Sequence, residues 1–435
     1  MEREILKTII LDQREYFSPG EIVSRMNEKK AFLGKNKEII VISGIRRCGK
    51  STLLHEIRKF NPESDYFLNF DDERLVQFTV TDFQLLLEIF LELFGEQSVF
   101  YFDEIQNING WERFVRRLYD QRKKVFIAGS NASMLSRELG THLTGRYLQY
   151  ELFPFSFKEF LALNKVEFSD TDLITTNGKS KLKRWFNDYF LSGGFPEYLK
   201  NKNREYLKSL YESILYRDVM VRNKLTKEKE ILELVYFLAS NIGKLVSFNN
   251  LKNTVGVRHA STVKNYLNYL ENAYLVFLVN KYDPSLKIQM QNPKKVYFID
   301  NAVSRELGFH TSADKGRFLE NQVFLELRRN GRTVYYHKQK HECDFIVREK
   351  NKIVAAIQVC WSMETENTRR REIAGLTEAM ERYGLTEGLI MTDSEEKTIK
   401  LEKRKIRVVP VYKWLLQSGN IKVNNSKDMQ GHSFF

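Results

Sequence analysis

The sequence predicts an α/β fold, led by a parallel sheet with crossover helices and continued by smaller domains. Three observations predict it. Between residues 37 and 152, short apolar runs alternate with helical stretches, the pattern of buried strands joined by helices. A phosphate-loop motif follows the first apolar run, where a strand of such a sheet turns into a helix. Finally, 435 residues are too many for one ordinary hydrophobic core, and length alone suggests roughly three domains.

The elements follow in order. Apolar runs at 39–42, 66–68, 99–102 and 125–128 read as buried strands, each ending in polar or glycine residues. Helical periodicity fills the gaps, as at 52–59 and 111–119. From 154 to 230 the strand signals vanish. That stretch is aromatic and helical in period, with breaks expected at Asn177-Gly178 and at Gly193-Gly194-Phe195-Pro196. Between 231 and 300, Ser247 can cap a helix, Gly256 falls in a turn, and Ser261 starts a second helix. That helix carries apolar Val263, Tyr266, Leu267 and Leu270, and strands at 274–279 and 295–299 follow. Helix, helix, then paired strands is the order of a winged helix. The last unit reads as a helix at 318–329, then strands at 334–337, 344–348 and 354–360. A helix at 369–383 and strands at 388–392 and 406–411 complete it. The expected domains are 1–153, 154–230, 231–300 and 301–418, with a polar, frayed tail at 419–435.

Composition removes several function classes. Hydrophobic residues at 42% and charged residues at 29% are ordinary for a globular chain. The greasiest stretch, 83–94, is interrupted by Glu88 and Glu92, so no membrane span is expected. The first residues carry no apolar signal region, and Cys48, Cys343 and Cys360 lack metal-type spacing. A reducing cytoplasm is the expected location.

Gly44-Ile45-Arg46-Arg47-Cys48-Gly49-Lys50-Ser51 matches G-x-x-x-x-G-K-[ST] at every fixed position, and Thr52 continues into the predicted helix. The glycines let backbone N–H groups curl around phosphate oxygens. Lys50 reaches the outer phosphates and the Ser51 hydroxyl meets Mg²⁺. Such a loop needs an acid at the end of a neighbouring strand, and Asp103 supplies it for the metal. Glu104 beside it is placed to polarise an attacking water. Asn131, at the tip of the next strand, is a candidate γ-phosphate sensor. Arg146 is a candidate for neutralising transition-state charge, in cis or on a neighbouring subunit, with Arg137 as its rival. An ordinary salt bridge is the competing reading for either arginine. Asn280-Lys281-Tyr282-Asp283 has guanine-reading spacing but lies among the predicted wing strands. ATP with Mg²⁺ is therefore the expected cofactor pair.

Taken together, the phosphate loop, Tyr101-Phe102-Asp103-Glu104-Ile105-Gln106, Ala128-Gly129-Ser130-Asn131, Leu143-Thr144-Gly145-Arg146-Tyr147 and the run 152–160 resemble a large prokaryotic family. Gly193-Gly194-Phe195-Pro196-Glu197 and the run 295–301 also match its pattern. Members of that family join an AAA-like P-loop ATPase to a C-terminal domain of unknown function. The resemblance covers nearly the whole chain. It implies an AAA-type core with a helical lid, then a winged helix and a restriction-endonuclease-like domain, with ATP as ligand and a homo-oligomer as an arrangement such cores often adopt.

In endonuclease-like folds a helix Glu, a strand Asp and a Glu-x-Lys on the next strand build a Mg²⁺ site. Projected here, these become Glu320, Asp344, Gln358 and Cys360. Two carboxylates stand where they should. An amide is a poorer ligand for a hard cation, however, and a thiol has no lysine charge. Binding rather than cleavage is expected of this domain.

The net charge of +13 is unevenly spread: residues 1–160 carry −1, residues 161–300 carry +8 and residues 301–435 carry +6. An acidic partner, DNA or protein, is therefore expected at the C-terminal half. In the predicted second helix, Lys264, Asn265 and Asn268, with Lys252, Arg258 and His259 before it, permit contact with DNA. A clamp between domains is the equal alternative. The functional expectation is an ATPase whose nucleotide state controls the C-terminal domains. A nucleotide-gated switch with little turnover and an ATP-regulated nuclease are the alternatives.

Overall fold

The computed structural model describes residues 1–16, 22–25, 37–130, 143, 145–311 and 314–417. They form two compact units, residues 1–153 with 272–274, and residues 154–271 with 275 onward.

The first unit runs α1 (Arg3–Tyr16), β1 (Ile39–Ser43), α2 (Lys50–Lys59), β2 (Phe67–Asn69), α3 (Phe83–Phe94), β3 (Val99–Asp103), α4 (Trp111–Asp120), β4 (Lys124–Gly129) and β5 (Tyr147–Glu151). The strands form one parallel sheet in the order β2-β3-β4-β1-β5. Every residue of β1 is buried. A parallel sheet covered on both faces demands this, which is why its strands read as unbroken apolar runs. Aromatic pairs fill the layer between helices and sheet. Phe83 stacks on Phe114 at 4.2 Å between centroids and Tyr66 on Phe90 at 4.8 Å.

The apolar stretch 83–94 is the helix α3, and its two glutamates explain its exposed side. Glu92 accepts from Arg3 and Lys7 of α1, both at 2.6 Å, while Phe83, Leu86, Ile89 and Phe90 face the core. Among the described residues no helix is long and apolar enough to cross a membrane. Neither α1 nor β5 is among the elements expected from the sequence, although Leu6, Ile9 and Ile10 of α1 stand at helical spacing. Strand β5 is only partly buried, as an edge strand can be.

The second unit opens with helices: α5 (Phe157–Leu163), α6 (Thr176–Ser192), α7 (Pro196–Asn201) and α8 (Arg204–Ser213), which runs into a π-helical segment Ile214–Val221. Then come α9 (Glu228–Ser240), β6 (Leu245–Val246), α10 (Phe248–Val255), α11 (Ala260–Asn272), β7 (Val276–Val279), α12 (Leu286–Gln291) and β8 (Lys294–Phe298). Strands β6, β8 and β7 form an antiparallel three-stranded sheet. The chain continues with α13 (Asn301–Leu307), α14 (Lys315–Arg329), β9 (Thr333–Lys338), β10 (Glu342–Glu349), β11 (Lys352–Val359), α15 (Glu366–Tyr383), β12 (Glu387–Thr392), β13 (Lys397–Leu401), β14 (Arg404–Pro410) and α16 (Val411–Leu416). Six strands make a mixed sheet, β13-β14-β12-β11-β10-β9, parallel only through β11-β12-β14.

Of the two breaks expected in the helical stretch, one is corrected. Asn177 and Gly178 lie inside the first turn of α6, where Thr175 caps the helix by accepting from the Gly178 N–H at 3.3 Å. Gly178 is small for another reason: a Cβ there would collide with the Asp172 backbone. The second break stands. Gly193 ends α6 at φ 68° and Pro196 opens α7.

That turn is anchored by Asp300, which is 4% exposed. Its carboxylate accepts from the backbone N–H groups of Gly194 at 2.7 Å, Ala302 at 2.8 Å and Val303 at 3.3 Å, so it caps α13 and fixes the turn together. Beside it Asn321 bonds both backbone groups of Phe298, at 2.9 and 3.0 Å. Burial pushes the Asp300 carboxyl up to about 6, against the pull of its three N–H donors. An acid with a raised folded pKa holds its proton more tightly when folded, so its contribution to stability declines as pH rises from about 4 to about 6. Relative to Asp300→Asn, the wild type should gain on the order of 2 kcal/mol as pH falls across that window. Urea melts at the two ends read the effect; parallel pH dependence in both proteins contradicts it.

Candidate functional site

Parallel pairing aligns the strand ends that carry the motif residues. Ser43 pairs with Gly129 and Asp103 with Ala128, so the loop after β1 and the acids after β3 flank the tip of β4. Ligands of open parallel sheets bind at this carboxyl edge. The loop from Gly44 to Gly49 then turns into α2. Gly49 stands at the helix N-cap with φ 101°, and Arg47 also takes positive φ, 64°. Gly44 is constrained by proximity, because a Cβ there would collide with the Leu152 carbonyl oxygen just past β5. Cys48, fully buried, turns its N–H to the Ile45 carbonyl at 3.3 Å. The first turn of α2 thus presents its unpaired N–H groups toward the loop.

Lys50 is 5% exposed and its ammonium donates to the Ile45 carbonyl oxygen at 3.0 Å. The Ile45 carbonyl is thus the partner that holds the ammonium. Asp103 is 2% exposed, with its Oδ1 buried and without a hydrogen-bond partner. The Ser51 hydroxyl lies beside the same carboxylate and favours its charged form. Burial, then the adjoining Glu104 carboxylate, pushes Asp103 well above the usual carboxylate range, while Ser51 and Lys50 oppose the shift. A buried carboxylate oxygen lacking a donor, beside a hydroxyl, suits a small hard cation. Ser51 and Asp103 are the residues that would hold Mg²⁺.

Glu104 sits at φ 51° and ψ 33°, a left-handed conformation that a non-glycine residue adopts at a cost. Its Oε2 accepts from the Ser130 N–H and hydroxyl, both at 3.2 Å, and from the Gln106 amide. Gln106 in turn lies over Gly129, where a Cβ would collide with its amide oxygen. Sequence reasoning missed Gln106 and Ser130. Their only signal is a buried polar residue two positions after the acid and another at a strand tip.

Arg146 does not join this group. It precedes Tyr147, which pairs with Ile39 at the start of β1, whereas the loop follows Ser43 at the other end. Four residues of strand separate the two ends, roughly 13 Å. Arg146 instead pairs with Asp120 at 3.8 Å and lies over the Tyr119 ring at 5.6 Å, the salt-bridge reading. Acting in cis is therefore corrected. Asn131 and Arg137 lie outside the described residues.

In the second unit Glu320 of α14 and Asp344 of β10 do come together, 7% and 6% exposed. The Lys295 ammonium stands between them, 2.9 Å from Glu320 Oε1 and 2.7 Å from Asp344 Oδ1. Gln358 accepts from the Asp344 N–H at 3.2 Å and donates to Glu372 at 2.5 Å. Cys360 packs among Met363, Ile390 and Leu376, and burial pushes its thiol up to about 12. All three cysteines are buried.

Comparison with known proteins adds the family context. Residues 36–161 match an AAA domain model, residues 183–313 a domain of unknown function (DUF8612), and residues 315–414 another domain of unknown function (DUF4143). An uncharacterized protein of Methanocaldococcus jannaschii is 35% identical over 437 residues, covering 96% of each chain. An uncharacterized protein of Haemophilus influenzae is 31% identical over 395 residues, covering 87% of this chain and 94% of that one. Among solved structures, Cdc6p from Pyrobaculum aerophilum aligns at 12% identity with a TM-score of 0.26, covering 64% of this chain and 91% of that one. The ADP form of the Aeropyrum pernix ORC2 protein aligns at 11% identity with a TM-score of 0.31 and the same coverage.

The two loop glycines should respond differently to alanine. Gly44→Ala must push Leu152 away and should cost roughly 1–3 kcal/mol. Gly49→Ala has open space around its Cβ and should cost about 1 kcal/mol through its positive φ alone. Chemical denaturation of the two variants checks the order; a costlier Gly49→Ala reverses it.

Proposed function

We propose that this chain, which belongs to the family defined by its full-length archaeal and bacterial relatives, is an AAA-type ATPase. Its first unit binds ATP with Mg²⁺ and hydrolyses it, and its nucleotide state governs binding by the basic domains that follow. The observation that carries this reading is the Asp103 carboxylate, buried with an unpartnered oxygen, beside Ser51 and within electrostatic reach of Lys50.

The geometry supports the following roles. Backbone N–H groups of the loop other than that of Cys48, with the dipole of α2, take phosphate oxygens, and Lys50 exchanges the Ile45 carbonyl for a phosphate oxygen. Mg²⁺ supplies charge neutralisation at the β- and γ-phosphates when bound. Glu104 accepts the proton of the attacking water. Three donors converge on its Oε2, so the head is fixed and Oε1 is left to face the water.

The domains beyond residue 153 support a binding role. The succession α10, α11, β7, β8, with β6 completing the sheet, supports a winged helix over residues 231–300. On α11, Lys264, Asn265 and Asn268 are exposed while Val263, Tyr266, Leu267 and Leu270 are buried. That exposed face, with Arg258 and His259 before it, suits an acidic partner such as DNA. For the domain beyond residue 301, the pairing of Glu320 and Asp344 around a helix and a mixed sheet supports an endonuclease-like fold. Gln358 and Cys360 count against cleavage.

Two variants test the ATPase reading. Lys50→Ala should abolish ATP binding in equilibrium titration, and an unchanged affinity would sink the proposal. Glu104→Gln should bind ATP normally yet lower steady-state phosphate release by about 10²-fold or more. Wild-type release no faster than that of Glu104→Gln would turn the reading into a nucleotide-gated switch.

A further inference from the structure

Tyr274 follows α11 in the sequence, yet residues 272–274 belong to the first unit. Its backbone takes φ 59°, at the position just past a helix end that glycine usually fills. The helix is closed by the Leu275 N–H donating to the Leu270 carbonyl at 3.0 Å, a bond that needs a left-handed residue before Leu275. Among the described residues, the other non-glycine residues at positive φ are Arg, Lys or Glu, and Tyr274 is the one aromatic. A bulky side chain in this conformation persists only where its surroundings fix it.

Those surroundings lie at the phosphate-loop end of the parallel sheet. Tyr274 is 3% exposed, and its hydroxyl donates to Ser43 Oγ at 2.8 Å. Ser43 is fully buried and is the last residue of β1, directly before Gly44. The Gln149 amide of β5 closes the group, donating to Ser43 Oγ at 2.9 Å and to the Tyr274 hydroxyl oxygen at 3.4 Å. The main chain leaves little room for the loop start to move alone. The Ser43 carbonyl accepts the Leu152 N–H at 2.7 Å, and Gly44 is so close to the Leu152 carbonyl that a Cβ there would collide. A displacement of the loop start is therefore passed to Ser43, and through one hydroxyl pair to the residue that ends α11.

We propose that Tyr274 is a positioning residue that couples the phosphate loop to α11, its hydroxyl passing the setting of Ser43 to the end of that helix. The coupling rests on ATP binding at the loop and not on hydrolysis. Phosphate oxygens that recruit the loop's N–H groups reset the strand end from which the loop departs. The Tyr274 hydroxyl follows Ser43, and its strained backbone carries the shift into the last turn of α11. The exposed face of that helix bears Lys264, Asn265 and Asn268. By reciprocity, a partner held on this face changes ATP affinity by the same factor by which ATP changes the partner's.

Amide hydrogen exchange of the full-length chain, read by mass spectrometry with and without Mg²⁺-ATP, tests this. In the wild type, ATP should slow exchange about threefold or more in two segments, 44–54 at the loop and 260–275 around α11. Tyr274→Phe removes the hydroxyl and keeps the buried ring. It should keep the ATP response at 44–54 and lose most of that at 260–275, with little change in Tm. A merely structural tyrosine would alter Tm or basal exchange and leave the response to ATP in place. Ser43→Ala breaks the same bond from the other side and should give the same loss, and the double variant should lose no more than either single one. Where Tyr274→Phe does not fold, Ser43→Ala carries the test. Protection at 44–54 with none at 260–275 in the wild type, or a response at 260–275 that survives both variants, overturns the coupling while ATP binding stands. No protection at 44–54 in the wild type overturns ATP binding, and the coupling with it.

Discussion

A carboxylate taken out of water must find a cation or hydrogen-bond donors, or give up its charge, and both centres of this protein are organised by that constraint. At the edge of the parallel sheet, Asp103 is buried with one oxygen unpartnered. In the second unit, Asp344 and Glu320 are buried around the Lys295 ammonium. The first carboxylate keeps one oxygen without a donor; the second pair is met by the chain's own ammonium. Cutting away one partner of a buried pair commonly costs about 3–5 kcal/mol, so β8 and the six-stranded sheet cannot part without water or a proton replacing the ammonium.

The sheet's part in this is to set heights. Parallel register brings Ser43, Asp103 and Gly129 to one edge, and a one-residue slip would turn each side chain to the opposite face. Strand β3 is apolar through Phe102 because it is covered on both faces, so the first polar side chain after it arrives already desolvated. Glu104 then leaves the strand in a left-handed turn, which carries its carboxylate toward Ser130 on the neighbouring strand tip. Strain at Glu104 and burial at Asp103 are two consequences of ending an interior strand with adjacent acids.

Much of this was legible from residue order alone. The central strands announced themselves as apolar runs, because a doubly covered strand has no polar face to blur the signal. The edge strand β5 escaped notice for the converse reason: its residues are half exposed and alternate weakly. Asn177-Gly178 looked like a break, since the pair favours turns, yet in α6 it falls in the first turn, where a cap and a close backbone approach outweigh propensity. Arg146 was a candidate by proximity in sequence to other motif residues. Only strand register shows that it stands at the far end from the loop. Gln106, Ser130 and Lys295 were invisible as site residues because each acts on a group distant in sequence, and one chain without its fold offers no measure of that distance.

Gln358 is where the two readings of the C-terminal domain meet. As a member of a Mg²⁺ site it is a defect, an amide where a carboxylate belongs. In its actual surroundings an amide is required. Its carbonyl oxygen accepts from the Asp344 N–H while its NH₂ donates to Glu372 at 2.5 Å, and a carboxylate can do only the first. A glutamate at 358 would face Glu372 as a like charge in a buried site, with Arg371 already committed to the other Glu372 oxygen. The amide at 358 and the ammonium at 295 therefore work in the same direction. Each lowers the negative charge that the fold must hide, and together they let Asp344 stay buried. A domain settled in this way makes these carboxylates part of its own core.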